Sequence, residues 1–379
     1  MRPDAMNPHR ADFLLPAGGV YALSHSVGCL TRTARAALEA EFFRPWETQG
    51  GEAWTQWLHA IDRFKVALAR LLGGRAAHFS PQVNLSSAVS KLLSALPRNP
   101  GRDTLVAHEE SFPSIGFALD RAGGFQCRLI DGDPCDFTIW RDALNDRVAA
   151  VVITHVHSNS GAIEPVRAIT QRCRELGISS IVDVAQSAGI VPISLEDFDA
   201  DIVVGSCVKW LCGGPGAGFM WIRPELLPHL TPTDVGWFSH RDPFEFDIRH
   251  FEYAPDARRF WGGTPSIAPY IVATQAIETL QRIGIAAIHA HNRRLVRIFL
   301  EQIAEPFTKQ LRLELVGGTL CLPLGLHASA VARALQAGGH FFDTRGTSLR
   351  LSFHIYNDQD EARDLGQICA AALVGAPHA

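Results

Sequence analysis

A chain of 379 residues, 47% hydrophobic and 20% charged, can bury a large core and is long enough for more than one lobe. Its formal net charge of −4 excludes the broad basic face of a general nucleic-acid binder. The eight cysteines, at 29, 127, 135, 173, 207, 212, 321 and 369, form no C-x-x-C pair and no zinc pattern, and the opening MRPDAMNPHRADFLL lacks a signal-peptide core. With no run of about 18 apolar residues to span a bilayer, a soluble cytoplasmic protein is expected.

Short apolar runs then alternate with helical patterns, as a mainly parallel sheet requires. Strands are predicted at Ala76–Phe79, Thr104–Ala107, Gln126–Ile130, Val148–Thr154, Ser180–Val182, Ile202–Gly205 and Gly218–Ile222. Helices are predicted at Leu85–Ala95, Ser114–Ala122, Val166–Leu176 and Ala268–Arg282. The pattern changes near residue 280: a helix at Ile285–Ala304, strands at Leu311–Val316 and Thr319–Pro323, a helix at Ala328–Ala337, a strand at Leu349–Phe353 and a helix at Asp358–Leu373. The expected division is 1–50 as an N-terminal segment serving the small lobe and the active site, 51–280 as the large domain and 281–379 as a small α+β domain.

The chemistry concentrates between Ser180 and Arg223. Ile181 and Val182 lead into Asp183 at the carboxyl tip of a short buried strand, and the next apolar run leads into Lys209. Taken singly, these are an acid at a strand end and a surface lysine. Together they are the pair a pyridinium cofactor requires, an amine for a Schiff base and a carboxylate for the ring nitrogen. Val208, Trp210 and Leu211 enclose the lysine and favour a desolvated amine, and Gly213, Gly214, Gly216 and Gly218 permit close backbone approach.

This segment resembles the lysine region of the fold-type I, class V aminotransferase-like superfamily, which holds kynureninases, cysteine desulfurases and isopenicillin-epimerase-like proteins. The resemblance implies an α/β fold, the PLP-dependent transferase fold type I. Its mainly parallel, mixed seven-stranded sheet is flanked by helices and followed by a smaller α+β C-terminal lobe. It also implies pyridoxal 5′-phosphate (PLP) as cofactor and a homodimer.

Other motifs extend the likeness. Ser80-Pro81-Gln82-Val83-Asn84-Leu85 reads from its residues as a capped helix start, equally able to bind an anion. By resemblance Pro81 and Gln82 contact the cofactor phosphate through backbone and side chain. Phe112 in Glu110-Ser111-Phe112-Pro113-Ser114 is by residue type more often a core aromatic. The kynureninase FPS motif implies that it covers the cofactor ring, where desulfurases use a histidine. In THVHSNSGAIEPV the histidines at 155 and 157 lack a near third ligand, so no metal is expected. The likeness to the family's substrate-side loop places Asn159 or Ser158 towards the ring hydroxyl.

Gln186 is expected at the ring O3′ and Ser206 at the phosphate. Val235-Gly236-Trp237-Phe238-Ser239-His240 resembles the kynureninase GW-x-GH segment, which implies that Trp237 contacts phosphate. The Gly263-Thr264-Pro265 turn implies that Thr264 reaches the neighbouring subunit's phosphate. Arg350, in an apolar strand, needs either a buried acidic partner or a carboxylate ligand, and the family's R-x-S/A strand implies that it holds the substrate α-carboxylate. The turn Tyr21 to Gly28 is similar to the family's N-terminal turn, which adds Ser26 to the substrate contacts.

The sequence departs from kynureninases at Val208, Gln186, Thr264 and Ile115 and at Gly50 or Gly51, positions that recognise an aminobenzoyl side chain. Cys321 is the one thiol placed for desulfurase chemistry, but TLCLPL reads as a buried strand. The expected activity is cleavage of an α-amino acid side chain through a Lys209 aldimine and a carbanion, as a C–S β-lyase or a kynureninase-like Cβ–Cγ hydrolase. Transamination, epimerisation and decarboxylation use the same residues and remain open, as does a non-catalytic regulator of the same fold.

Overall fold

In the computed structural model, which describes residues 7–374, the apolar runs pair into one seven-stranded sheet. A short antiparallel pair, β1 (Phe13–Leu14) and β2 (Leu30–Thr31), precedes it. The sheet contains β3 (Phe79–Gln82), β4 (Thr104–His108), β5 (Gln126–Ile130), β6 (Val148–Thr154), β7 (Ser179–Asp183), β8 (Ile202–Ser206) and β9 (Gly218–Ile222). Their order is β3-β9-β8-β7-β6-β4-β5, and only β9 runs against the rest.

Period-2 alternation divides the core into two layers. Val106, Val151, Val182 and Val203 pack on one face with Phe64, Leu68, Ile271 and Ile277 from the helices Trp54–Leu72 and Ala268–Ile283. Ala107, Val152, Ile181 and Val204 pack on the other, against Val89, Leu92, Ile115 and Leu119 of Leu85–Ala95 and Pro113–Asp120. The first strand differs from expectation: Ala76–His78 is a 3-10 turn and the strand runs Phe79–Gln82. Pro81 is tolerated because β3 is the sheet edge, where a missing N–H leaves only one neighbour to satisfy.

The C-terminal part forms a three-stranded antiparallel sheet of β10 (Leu320–Pro323), β11 (Asp343–Arg345) and β12 (Ser348–Leu351), with β12 in the middle. Leu295, Phe299, Leu335, Leu351 and Leu365 form its apolar core, which Val20 and Ala22 of the N-terminal segment join. The chain bonds there as a further strand would: Ala22 N–H donates to Phe341 O and Ser352 N–H to Ala22 O, both at 2.9 Å. The strand expected at Leu311–Val316 is instead a 3-10 turn at Leu313–Leu315. The Arg293 guanidinium takes the carbonyls of Leu313 and Val316 that a ladder would have used. Among the described residues no helix is long and apolar enough to cross a membrane, and all eight cysteines are free.

Candidate active site

The site residues gather at the carboxyl ends of the sheet strands, where open α/β sheets bind ligands. Gln82 ends β3 and Ser206 ends β8, and both pair with Gly218 from opposite sides, so they stand level. Asp183 ends β7, in register with Thr154 of β6 and Val204 of β8. Phe112 follows β4, the segment 155–160 follows β6 and Lys209 follows β8.

The Lys209 loop is tightly fixed. Gly28 N–H donates to Val208 O at 2.9 Å, Cys212 N–H to Lys209 O at 2.9 Å and Gly213 N–H to Cys207 O at 2.7 Å. A Cβ on Gly28 would lie 2.1 Å from Lys209 O, so the N-terminal turn reaches the lysine only because that residue is glycine. Burial lowers the Lys209 pKa, the nearby Arg350 and Arg345 lower it further, and Asp183 opposes them. Burial raises the Asp183 pKa against the pull of the Ala185 N–H, Lys209 and His157. Asp183 Oδ1 accepts from Ala185 N at 2.8 Å, and its other oxygen accepts no hydrogen bond among the described residues. Phe112 is 42% exposed and its ring centre lies 5.6 Å from Lys209 Nζ.

Behind these, His157 and Glu164 form a fully buried pair at 2.6 Å, and the other ring nitrogen of His157 bonds Glu110 O at 3.1 Å. This fixes the loop leading to Phe112. Burial drives the Glu164 pKa up to about 7 against its partner's pull, and the pairing with Glu164 raises the His157 pKa against burial. His155 faces away, edge-on to the Phe198 ring, and burial pushes its pKa down to about 4. Asn159 keeps its side-chain oxygen buried and unpartnered, and Ser158 Oγ accepts from Arg345 at 2.9 Å.

Arg350 lies in the middle strand of the small sheet, opposite Cys321 on one side and Asp343 on the other. Its Nη1 donates to Asp343 Oδ2 at 3.0 Å, while its Nε is buried without a partner. His25 Nε2 stands 3.6 Å from the same Asp343 oxygen, its pKa pushed down to about 4, first by burial. Ser26 is exposed and makes no side-chain hydrogen bond; its neighbour His25 faces the charged cluster. His25, Asp343 and Arg345 were not singled out in the sequence. Only the position of His25 within the similar N-terminal turn could have flagged it.

Beside the end of β3, a cavity of about 280 Å³ is lined by Pro81, Gln82, Lys91, Gly262, Thr264 and Tyr270. The Gln82 amide nitrogen donates within the chain, to Ser80 Oγ at 2.9 Å and to Phe260 O at 3.1 Å. Pro81 has no N–H and offers only shape. Asn84 caps the following helix by accepting from Ser87 N at 2.8 Å. Lys91, absent from the sequence reading, is buried and reaches Phe260 O at 2.9 Å and Asp234 at 3.1 Å. Trp237 Nε1 donates to Thr264 Oγ1 of the same chain at 3.3 Å. Gln186 bonds His25 O through its amide nitrogen and the Trp210 indole through its oxygen, both at 3.1 Å, and so ties the N-terminal turn to the lysine loop.

These residues fit PLP. A desolvated lysine, a buried carboxylate with a free oxygen and an uncovered aromatic face are what the cofactor's aldehyde, ring nitrogen and ring plane need.

The comparisons agree. Residues 129–365 match the family model of aminotransferase class V. The chain is 31% identical over 329 residues to the kynureninase of Deinococcus radiodurans, covering 83% of this chain and 78% of that protein. It is 31% identical over 320 residues to a Burkholderia pseudomallei kynureninase, covering 79% and 74%. In fold it resembles the apo cysteine desulfurase of Thermococcus onnurineus NA1, with a TM-score of 0.85, 21% identity and 99% of both chains covered. A C-DES variant with glycine covalently linked to its PLP cofactor superposes with a TM-score of 0.84 at 21% identity, over 96% of this chain and 99% of that one. The chain belongs to the aminotransferase class V family. It is a PLP-dependent enzyme of fold type I with kynureninase-like relatives, and these relatives support lyase-type chemistry on an amino acid.

Proposed function

We propose that the protein cleaves a side-chain bond of an α-amino acid, as a C–S β-lyase or a kynureninase-like Cβ–Cγ hydrolase. The observation that carries this reading is the meeting of Lys209, Asp183 and Phe112, at the carboxyl ends of the large-sheet strands, with Arg350 and Arg345 of the small sheet, close enough to act on Lys209, in a chain 31% identical to kynureninases.

Bound PLP would supply an aldehyde to capture amines and a ring to accept an electron pair from the substrate. Lys209 would hold it covalently, Asp183 would accept a hydrogen bond from its ring nitrogen and Phe112 would cover one face. Ser206 and Trp237 would serve its phosphate, and Thr264 would reach the phosphate of the neighbouring subunit. Burial and two neighbouring guanidinium groups disfavour a proton on Lys209, so its amine, once free, accepts the substrate α-proton at Nζ. Arg350 receives the substrate α-carboxylate, with Arg345 as a second cation and Asn159 alongside.

Two features shape substrate choice. Asp343 already holds Arg350, so an incoming carboxylate competes with it. Val208 and Gln186 stand where kynureninases carry other residues, and Gln186 is fixed by His25 and Trp210, which argues against an aminobenzoyl side chain; Ile115 packs in the core instead. A desulfurase is disfavoured because Cys321 is buried and its pKa is pushed up to about 11, away from the reactive thiolate. We further propose a cytoplasmic homodimer in which the exposed Thr264 turn meets the neighbouring subunit.

The test is a screen of the PLP-loaded protein against amino acids, including S-substituted cysteines and kynurenine, with mass spectrometry of products. Pyruvate with ammonia, or alanine, supports side-chain cleavage. A keto acid that keeps its side chain supports transamination instead.

A further inference from the structure

A second cluster of chemically capable side chains lies outside the lysine site, beyond Trp237. We propose that His240, Glu245 and His250 bind a zinc-class divalent cation that fixes the segment 240–252 against Trp237.

The donors lie close together: one ligand atom from each of the three residues falls within 4.8 Å of the others. His240 Nε2 is 3.7 Å from Glu245 Oε2, and His250 Nδ1 is 2.5 Å from Glu245 Oε1. Around a tetrahedral zinc with bonds of about 2 Å, ligand atoms stand about 3.3 Å apart, so small side-chain shifts would seat an ion. Two imidazoles and a carboxylate are a zinc donor set, with one position left for water.

The independent observation is the state of His240. Its side chain is more than nine-tenths buried, and Nε2 has no hydrogen-bond partner. The other ring nitrogen is 2.7 Å from Asp242 O and 3.0 Å from Asp242 N, so either tautomer leaves Nε2 unsatisfied and aimed at the carboxylate. In the shorter contact Nδ1–H donates to the carbonyl, which orients a metal-binding imidazole and leaves its Nε2 lone pair free. The outer nitrogen of His250, Nε2, faces Glu252 at 3.6 Å, an ion-pair distance longer than a hydrogen bond. The same carboxylate meets His250 at hydrogen-bond distance but stands 3.7 Å from the buried His240 Nε2, too far for a hydrogen bond, which leaves that nitrogen without one.

The consequence reaches the cofactor side. Between the ligands lie Phe244 and Phe246, whose rings meet Trp237 at 5.8 Å and 6.1 Å. The three ligands and Trp237 line one cavity of about 390 Å³. An ion at its wall would close the loop on which Trp237 rests.

The test uses untagged, PLP-loaded protein stripped with a chelator, dialysed against buffered Zn²⁺ and assayed for metal content and Tm. The expected result is close to one zinc per chain and a zinc-dependent rise in Tm. Glu245→Gln and His250→Ala should each lose the zinc while keeping the Tm of the stripped protein and the visible cofactor band. Glu252→Gln should weaken zinc binding about 10- to 100-fold. Failure of the wild-type protein to retain zinc, or equal retention by Glu245→Gln and His250→Ala, would overturn the proposal.

Discussion

Lys209 Nζ lies 5.6 Å from the centre of the Phe112 ring, so the amine and the aromatic face bound the same space although 97 positions separate them (209 − 112). Because Phe112 is 42% exposed and outside the core clusters, replacing it should alter cofactor binding more than folding. For Phe112→Leu the expected change is a loss of PLP affinity of about 2- to 10-fold, from 0.5–1.5 kcal/mol of aromatic stacking, with Tm unchanged. Spectroscopic titration of the apo protein reads it.

Gly28 is predicted to be intolerant of any side chain. The added methyl of Gly28→Ala meets the Lys209 carbonyl, which is itself bonded to Cys212 N–H, so the lysine loop must move. A stability loss of about 1–3 kcal/mol is expected by urea denaturation. It should come with weaker PLP loading, which a purely remote packing defect would not produce.

Arg350 and Asp343 should act in opposite directions on substrate binding. Arg350→Met removes a charge-assisted contact worth about 1.5–3 kcal/mol, so KM should rise about 10- to 100-fold. Asp343→Asn removes the competing carboxylate and should lower KM for the same amino acid. Steady-state kinetics on the substrate found in the product screen separates the two.

Stability should fall as the solution is acidified from pH 6.5 towards 4. His25, His155 and His354 each have a folded pKa of about 4, set first by burial, against 6.5 when exposed. In that window the unfolded chain binds protons that the folded chain does not, so stability rises with pH and is lost on acidification. Glu164, raised to about 7, binds its proton in the folded state and offsets part of the slope. Urea unfolding at several pH values should show a decline that is shallower in His155→Phe, and a flat profile would contradict the burial argument.

Much of the large sheet was legible because strands buried on both faces are short, uninterrupted apolar runs. Val148–Thr154 and Gly218–Ile222 were predicted at their observed bounds on that signal; the more exposed edge strand Gln126–Ile130 was predicted at its bounds too, as were the helices Leu85–Ala95, Val166–Leu176 and Ala328–Ala337. The strand Asp343–Arg345 was missed because three polar residues at a sheet edge carry no apolar alternation. The helix Trp54–Leu72 was missed because its start lacks a capping side chain. In the site, Asp183, Lys209 and Phe112 were visible as motifs on a loop or strand end, and Arg350 as a charged residue within an apolar strand. His25, Asp343 and Lys91 were not, because their meaning arises only where distant segments meet: His25 with Asp343, and Lys91 with Phe260.

The measurement that bears most directly on the site is borohydride reduction of the PLP-loaded protein, followed by digestion and mass spectrometry. The cofactor should be found covalently fixed to Lys209, at close to one per chain, and Lys209→Ala should show no label and no visible cofactor band. Label on another lysine, or none on the wild-type protein, would contradict the assignment of Lys209 and the active site built around it.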